Sequence, residues 1–107
     1  MPIKTFKIDN ELELNPGQTG HWWWNHASPE GSVWSANAVP MATGSTTTGF
    51  AQTTELEVTR LWRKYIIIEK STSQFSDTDI ETEIHYEVKN LGGTKARFRM
   101  YLSVATP

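Results

Sequence analysis

The sequence predicts a single small antiparallel all-β domain over residues 1–107. The expected architecture is a β-sandwich or a jelly-roll-like barrel of about six to eight strands. Two segments, Ile80–Val88 and Ala96–Val104, alternate strictly between apolar and polar side chains, which is the period of a half-buried strand. Glycine, proline and asparagine separate the apolar segments, as they do in turns. No segment has the apolar periodicity of an amphipathic helix.

Shorter strands are expected in the N-terminal half of the chain. Ile3–Leu14 predicts one or two strands, and Thr19–Trp24 predicts another that is entered from a proline–glycine turn over residues 15–17. Val33–Val39 predicts one more short strand. The following segment, Met41–Gly49, is rich in glycine, serine and threonine and therefore predicts a loop.

Glu55–Lys70 predicts one long strand in which the alternation changes phase. Leu56, Val58 and Trp62 share one face in its first half. The tyrosine and three isoleucines that follow show no alternation. Such a run indicates either burial on both faces or a β-bulge near Arg60–Lys64 that reverses the phase.

The two alternating segments at the C-terminal end are predicted to pair with each other as a hairpin. The segment between them contains two glycines, which suit a turn that needs a positive φ angle. In this pairing an acidic face meets a basic face, with Glu87 opposite Lys95 or Arg97. Opposite charges that face each other across strands contribute about 0.2–1 kcal/mol per pair and oppose a register slip.

Composition and charge exclude several classes of partner. The net charge is -2 and the chain has no cysteine, so neither nucleic-acid binding nor a disulfide framework is predicted. No apolar run approaches the roughly 20 residues of a membrane-spanning helix. The N-terminal residues lack the apolar stretch of a signal peptide. The sequence therefore predicts a protein that is cytoplasmic, or released without a classical signal peptide, and it does not favour a membrane partner.

The sequence contains no motif typical of an enzyme, and we predict neither catalysis nor a cofactor. The spacing of His21 and His26 places them on opposite faces of a continuous strand, so no metal site is predicted either. The acidic pair Glu81 and Glu83 is interpreted as an ordinary polar strand face, because nothing beside it favours an acid–base couple.

Tryptophan is the outlier in the composition, with five residues in 107. In a strand, Trp22 and Trp24 share one face and Trp23 lies on the other, so at least one indole is expected outside the core. An exposed indole beside amide and imidazole groups suits a sugar ring, which packs on the aromatic face while its hydroxyls form hydrogen bonds. The predicted ligand-binding residues are Trp22, Trp23, Trp24, Asn25, His26, Trp34 and Asn37.

The favoured hypothesis is therefore a non-catalytic, lectin-like module that binds a carbohydrate or a similar small ligand. The alternative is a self-assembling structural protein whose tryptophans are buried in a homo-oligomer interface, since tryptophan is enriched at interfaces. A third and less favoured hypothesis is insertion of the tryptophan segment into a membrane surface, where indoles also concentrate.

Overall fold

The computed structural model describes residues 3–27, 33–41, 53–71 and 76–106. In these ranges the chain forms seven strands in two antiparallel sheets, which confirms the predicted fold class. The strands are β1 (Ile3–Lys7), β2 (Leu12–Leu14), β3 (Thr19–Ala27), β4 (Val33–Pro40), β5 (Leu56–Ser71), β6 (Ser76–Asn90) and β7 (Ala96–Ala105). The described residues include no helix long and apolar enough to cross a membrane. The loop predicted at Met41–Gly49 lies, except for Met41, outside the described residues.

Each sheet has one central strand. In the first sheet, β7 pairs with β4 on one side and with β1 and β2, placed end to end, on the other. In the second sheet, β6 lies between β3 and β5. Side chains from both sheets form one buried cluster, as in a small β-sandwich. Its members are Leu14, Tyr86, Val88, Phe98, Met100 and Leu102.

The predicted C-terminal hairpin is wrong, because β6 and β7 are the central strands of opposite sheets. Both strands turn inward the faces that their alternation predicts. Two strands show the same alternation whether they pair in a hairpin or face each other across the core from different sheets. Alternation therefore does not show which strands are hydrogen-bonded neighbours. Consequently Lys95 Nζ lies 3.0 Å from Glu13 Oε2. Glu87 Oε2 lies 3.5 Å from Arg60 Nε on β5 and does not pair with a cation on β7.

The turn after β6 carries the chain from the second sheet to the first, and Asn90 organises it. Asn90 is fully buried. Its Nδ2 donates to the carbonyl oxygens of Leu14, at 3.0 Å, and Thr94, at 2.8 Å. Its Oδ1 accepts from the backbone N–H of Gly92 at 2.9 Å. A Cβ at Gly92 would lie 3.0 Å from the carbonyl oxygen of Thr53, so glycine permits this close backbone approach.

β5 contains the expected bulge, just before the predicted segment. Its register with β6 shifts between Val58 and Arg60, which makes Thr59 the extra residue. Val58 therefore faces the core, whereas Trp62 faces outward, opposite His85. The predicted placement of Trp62 on the same face as Val58 is wrong for this reason.

Burial of Tyr86 predicts a loss of stability at alkaline pH. Tyr86 is 2 % exposed, and burial raises the pKa of its phenol because the phenolate is poorly solvated in the core. The folded state thus holds this proton more tightly than the unfolded state does. The resulting stabilisation is complete below the unfolded pKa of about 10 and is lost as the pH rises through the higher folded pKa. We expect the free energy of unfolding to fall in this range, and Tyr86→Phe to reduce that fall.

Urea unfolding at about pH 8 and about pH 11 measures this difference. Tyr65→Phe is the matched control, since Tyr65 is 49 % exposed and its variant should keep the wild-type fall. An unchanged alkaline fall in Tyr86→Phe would show that burial of this phenol is not the cause.

Candidate functional site

β3 distributes the three consecutive tryptophans over two faces, as the strand parity predicts. Trp23 points outward and is 55 % exposed. Trp22 and Trp24 are half-buried and pack on the inner side. The Trp22 ring meets Phe98 edge-on at 5.8 Å, and the Trp24 ring lies 5.5 Å from Phe6. Two of the three indoles therefore belong to the core between the sheets.

Gly20 makes room for Trp22. A Cβ built at Gly20 would overlap the six-membered ring of Trp22. The indole thus covers the backbone of its own strand two residues upstream. Any larger residue at position 20 requires the Trp22 ring to move, which gives this glycine a packing role.

Two other predicted site residues, Trp34 and Asn37, lie away from Trp23. Trp34, on β4, is half-buried and meets Phe6 edge-to-face at 5.7 Å. Asn37 is exposed on the outer side of the first sheet, where it pairs in register with Tyr101. The two amides of the predicted set, Asn25 and Asn37, are therefore on different sheets.

Asn25 and His26 occupy a bulge in β3 close to Trp23. The register of β3 with β6 shifts between Trp24 and Ala27, so these two residues oppose Glu83 alone. Asn25 is exposed. The His26 backbone belongs to β3, but its side chain lies outside the described residues. Of the predicted residues whose side chains the structure describes, Trp23 and Asn25 are the two that are exposed on β3.

An aromatic row crosses the outer face of the second sheet. Trp23, His85 and Trp62 are register partners on β3, β6 and β5. Both indoles stack on the central imidazole, with ring distances of 5.7 Å for Trp23 and 5.2 Å for Trp62. His21 leans across and stacks on Trp62 at 5.0 Å. We call His21, Trp23, Trp62 and His85 the histidine–tryptophan face.

Hydrogen bonds fix the two imidazoles of this face. His21 Nε2 lies 2.7 Å from His85 Nδ1, and His85 Nε2 lies 2.8 Å from Glu83 Oε1. When Glu83 is ionised and both rings are neutral, His85 Nε2–H donates a hydrogen bond to Glu83, and His85 Nδ1 accepts one from the Nε2–H of His21. His85 is 6 % exposed, so this bonding satisfies both ring nitrogens in a buried position.

His21, His85 and Glu83 do not form a metal-binding group. Within the described residues, no group of three or more histidine, cysteine, aspartate or glutamate side chains is arranged to hold one. His85 uses one ring nitrogen for His21 and the other for Glu83, so the three side chains follow one another and do not converge on a common point.

Charged and polar groups border the aromatic row on both sides. On one side, the carboxylate of Glu87 lies 3.5 Å from Arg60, and the Arg60 guanidinium lies 4.6 Å from the centre of the Trp62 ring. On the other side, Glu83 pairs in register with Lys64. Cations stabilise an indole from above its face. Trp62 is therefore covered by protein groups, and Trp23 is the more accessible indole.

A cleft of about 160 Å³ opens beside Trp23. Among the described residues β3 is an edge strand, and the lining of the cleft joins it to the break between β1 and β2 in the other sheet. The lining residues are Ile8, Asn10, Leu12, Trp22, Trp23 and Tyr86. This cleft joins apolar surface to the exposed amide of Asn10, the combination that small-ligand sites use.

The predicted site omitted three members of the face, His21, Trp62 and His85. Alternation does place His85 outward, on the polar side of its strand. It does not show that β3 and β5 flank β6, and the bulge at Thr59 sends Trp62 to the outer face. The aromatic row thus depends on strand neighbours and on one bulge.

Comparisons of the chain with protein-family models, with curated proteins and with solved structures found no match. A function for this chain therefore rests on the geometry of the histidine–tryptophan face and of the adjoining cleft.

Proposed function

We propose that this chain is a non-catalytic, lectin-like module that binds a saccharide on the histidine–tryptophan face of its second sheet. The observation that carries the proposal is Trp23, an indole that is 55 % exposed and stacked on a buried imidazole. Single exposed apolar side chains are common and need no explanation. Trp23 differs from such a side chain because its ring stacks on His85, and hydrogen bonds at both ring nitrogens fix the position of His85.

This support reduces the cost of binding. A flexible aromatic side chain loses rotamer freedom when a ligand immobilises it, at about 0.5–1.5 kcal/mol. The stacked imidazole restricts the Trp23 ring before any ligand arrives. The flat, C–H-rich face of a pyranose ring packs on such an indole and excludes water from it.

Hydroxyl recognition requires hydrogen-bond groups around the aromatic ring, and the neighbouring strands provide them. Asn25 offers both a donor and an acceptor, and it follows Trp23 by two positions. His21, whose ring lies 5.9 Å from that of Trp23, adds an imidazole on the other side. The exposed side chain of Asn10 lines the adjoining cleft. These groups suit a neutral, polyhydroxylated ligand.

The bonding of the carboxylates favours binding over hydrolysis. Glycoside hydrolysis generally needs two carboxyl groups, one on each side of the scissile bond. Near Trp23, Glu83 is bonded to His85 and Glu87 is paired with Arg60. Both carboxylates thus hold the face together instead of projecting toward a ligand.

Titration of the intrinsic tryptophan fluorescence with a panel of neutral and acidic glycans tests the proposal. We expect a saturable response to neutral glycans and a weaker one, or none, to acidic glycans. Asn25→Ala should weaken that binding by about 2- to 10-fold, the worth of one hydrogen bond. Asn37→Ala is the matched control, because Asn37 is an exposed amide on the other sheet, and its variant should bind like the wild type. No response to any glycan, or equal effects of the two substitutions, would refute the proposed site.

A further inference from the structure

β5 and β6 extend beyond the sandwich as a two-stranded ribbon. The pairing of β3 with β6 ends at Thr82, whereas β5 and β6 remain paired as far as Ser71 and Ser76. The molecule is correspondingly long, with extents of 71, 30 and 20 Å. A two-stranded ribbon with no further packing is at best marginally stable in water. In the ranges that the structure describes, no third strand pairs with this end of β5 and β6, so it gains from a partner surface.

One face of the ribbon is both apolar and exposed. Tyr65, Ile67 and Ile80 lie on the side that continues the inner face of the sheet, and they are 49, 61 and 49 % exposed. Ile67 and Ile80 are register partners, and Tyr65 precedes Ile67 by two positions on the same face. We call Tyr65, Ile67 and Ile80 the strip. The strip leads into a groove of about 270 Å³ between β4 and β5. Contiguous apolar surface of this kind marks an interaction site.

The charges at the two ends of the strip have opposite signs. Along β5, the residues on this face are Arg63, Tyr65, Ile67 and Glu69. A cation therefore bounds the strip on the sandwich side, where Arg63 also donates to the Tyr65 hydroxyl at 3.2 Å, and an exposed anion bounds it on the tip side. A twofold axis midway between Tyr65 and Ile67 would place each Arg63 beside the partner's Glu69.

We propose that the strip binds a second copy of this chain, ribbon on ribbon and antiparallel, with Arg63 and Glu69 exchanged between the copies. Burial of the isoleucines drives the association, and the two charge pairs set its direction. One ribbon face is small beside the roughly 800 Å² per partner of a stable complex. We therefore expect a weak homodimer, with a Kd on the order of 10–100 µM.

This dimer is independent of the proposed saccharide site. The strip and the histidine–tryptophan face lie on opposite faces of the β5–β6 pair, so one surface does not cover the other. The proposed interface consists of Arg63, Tyr65, Ile67, Glu69 and Ile80, so it contains none of the five tryptophans. It leaves both ligand faces of the dimer open, and a multivalent glycan could then be bound by both copies.

Sedimentation velocity over a dilution series tests the dimer, using Arg63→Glu and Glu69→Arg separately and mixed. Each single variant places like charges at both contacts and should dimerise at least about tenfold more weakly than the wild type. The mixture should recover a heterodimer, because a ribbon with two acidic ends then meets one with two basic ends. Lys64→Glu is the matched control, since Lys64 lies on the opposite face of β5 and its variant should dimerise like the wild type.

Recovery in the mixture supports the antiparallel dimer, because a merely misfolded variant would not be rescued by another variant. Circular dichroism confirms that each variant is folded. A wild-type chain that stays monomeric up to about 1 mM would overturn the proposal, and the strip would then serve a different partner. Association of the single variants that equals the wild type, or a mixture that fails to recover, would also overturn it.

Discussion

Asn90→Ala is expected to lower the free energy of unfolding by about 3–5 kcal/mol, a large part of the roughly 5–15 kcal/mol of a typical domain. The substitution removes three hydrogen bonds at a fully buried position. The carbonyl oxygens of Leu14 and Thr94 then lose their hydrogen-bond donor, and the N–H of Gly92 loses its acceptor. Each buried group that loses its partner costs about 1–3 kcal/mol. The turn that joins the two sheets then loses its link to β2.

Urea unfolding followed by circular dichroism measures this loss. Asn37→Ala is the matched control, because the same substitution at an exposed strand position should change stability by less than about 0.5 kcal/mol. Asn90→Asp provides a second comparison, because the aspartate side chain has nearly the same shape as asparagine but carries no N–H donor. Its carboxylate still accepts from Gly92 but faces two carbonyl oxygens, so at neutral pH it should be at least as destabilising as alanine. If Asn90→Ala lies within about 1 kcal/mol of the wild type, Asn90 does not organise the turn.

Trp23→Ala is expected to reduce saccharide affinity by at least about tenfold, the largest effect on binding that we predict. Covering an indole with a sugar ring removes apolar surface from water, and for a large side chain this contributes about 1.5–3 kcal/mol. That range corresponds to roughly a 10- to 150-fold change in Kd. Trp23→Phe keeps a smaller aromatic face and should fall between alanine and the wild type.

Isothermal titration calorimetry with the glycan selected by the fluorescence panel measures these affinities. Because Trp23 is 55 % exposed, its removal should leave the fold intact, and circular dichroism checks this. Asn37→Ala again serves as the control from the other sheet and should retain wild-type affinity. Wild-type affinity in Trp23→Ala would remove Trp23 from the binding surface.

The sequence predicted the faces of the strands better than their neighbours. Alternation correctly assigned Ile84 and Val88 on β6, and Phe98 and Leu102 on β7, to the buried side. It did not show that the two strands belong to different sheets. The two glycines in the turn between them are equally compatible with a hairpin turn and with a connection from one sheet to the other. The difference lies in the buried side chain of Asn90, whose partner Leu14 is distant in sequence.

The candidate site was predictable only in part, for related reasons. Strand parity placed Trp23 on the opposite face from Trp22, and this is confirmed. The aromatic row needs His85 between β3 and β5, a pairing that no local pattern encodes. It also needs the bulge at Thr59, because without it Trp62 would point into the core. A single inserted residue therefore decides whether the second indole belongs to the core or to the outer face.

Nuclear magnetic resonance of the indole N–H groups tests the saccharide site most directly. Substitution of each of the five tryptophans by phenylalanine assigns the five signals. On titration with the selected glycan, we expect the Trp23 signal to shift most, with a smaller shift for Trp62. The signals of the inward-facing indoles, Trp22, Trp24 and Trp34, should stay near their free positions. A glycan that binds and shifts an inward-facing indole while leaving Trp23 unchanged would contradict the proposed binding face.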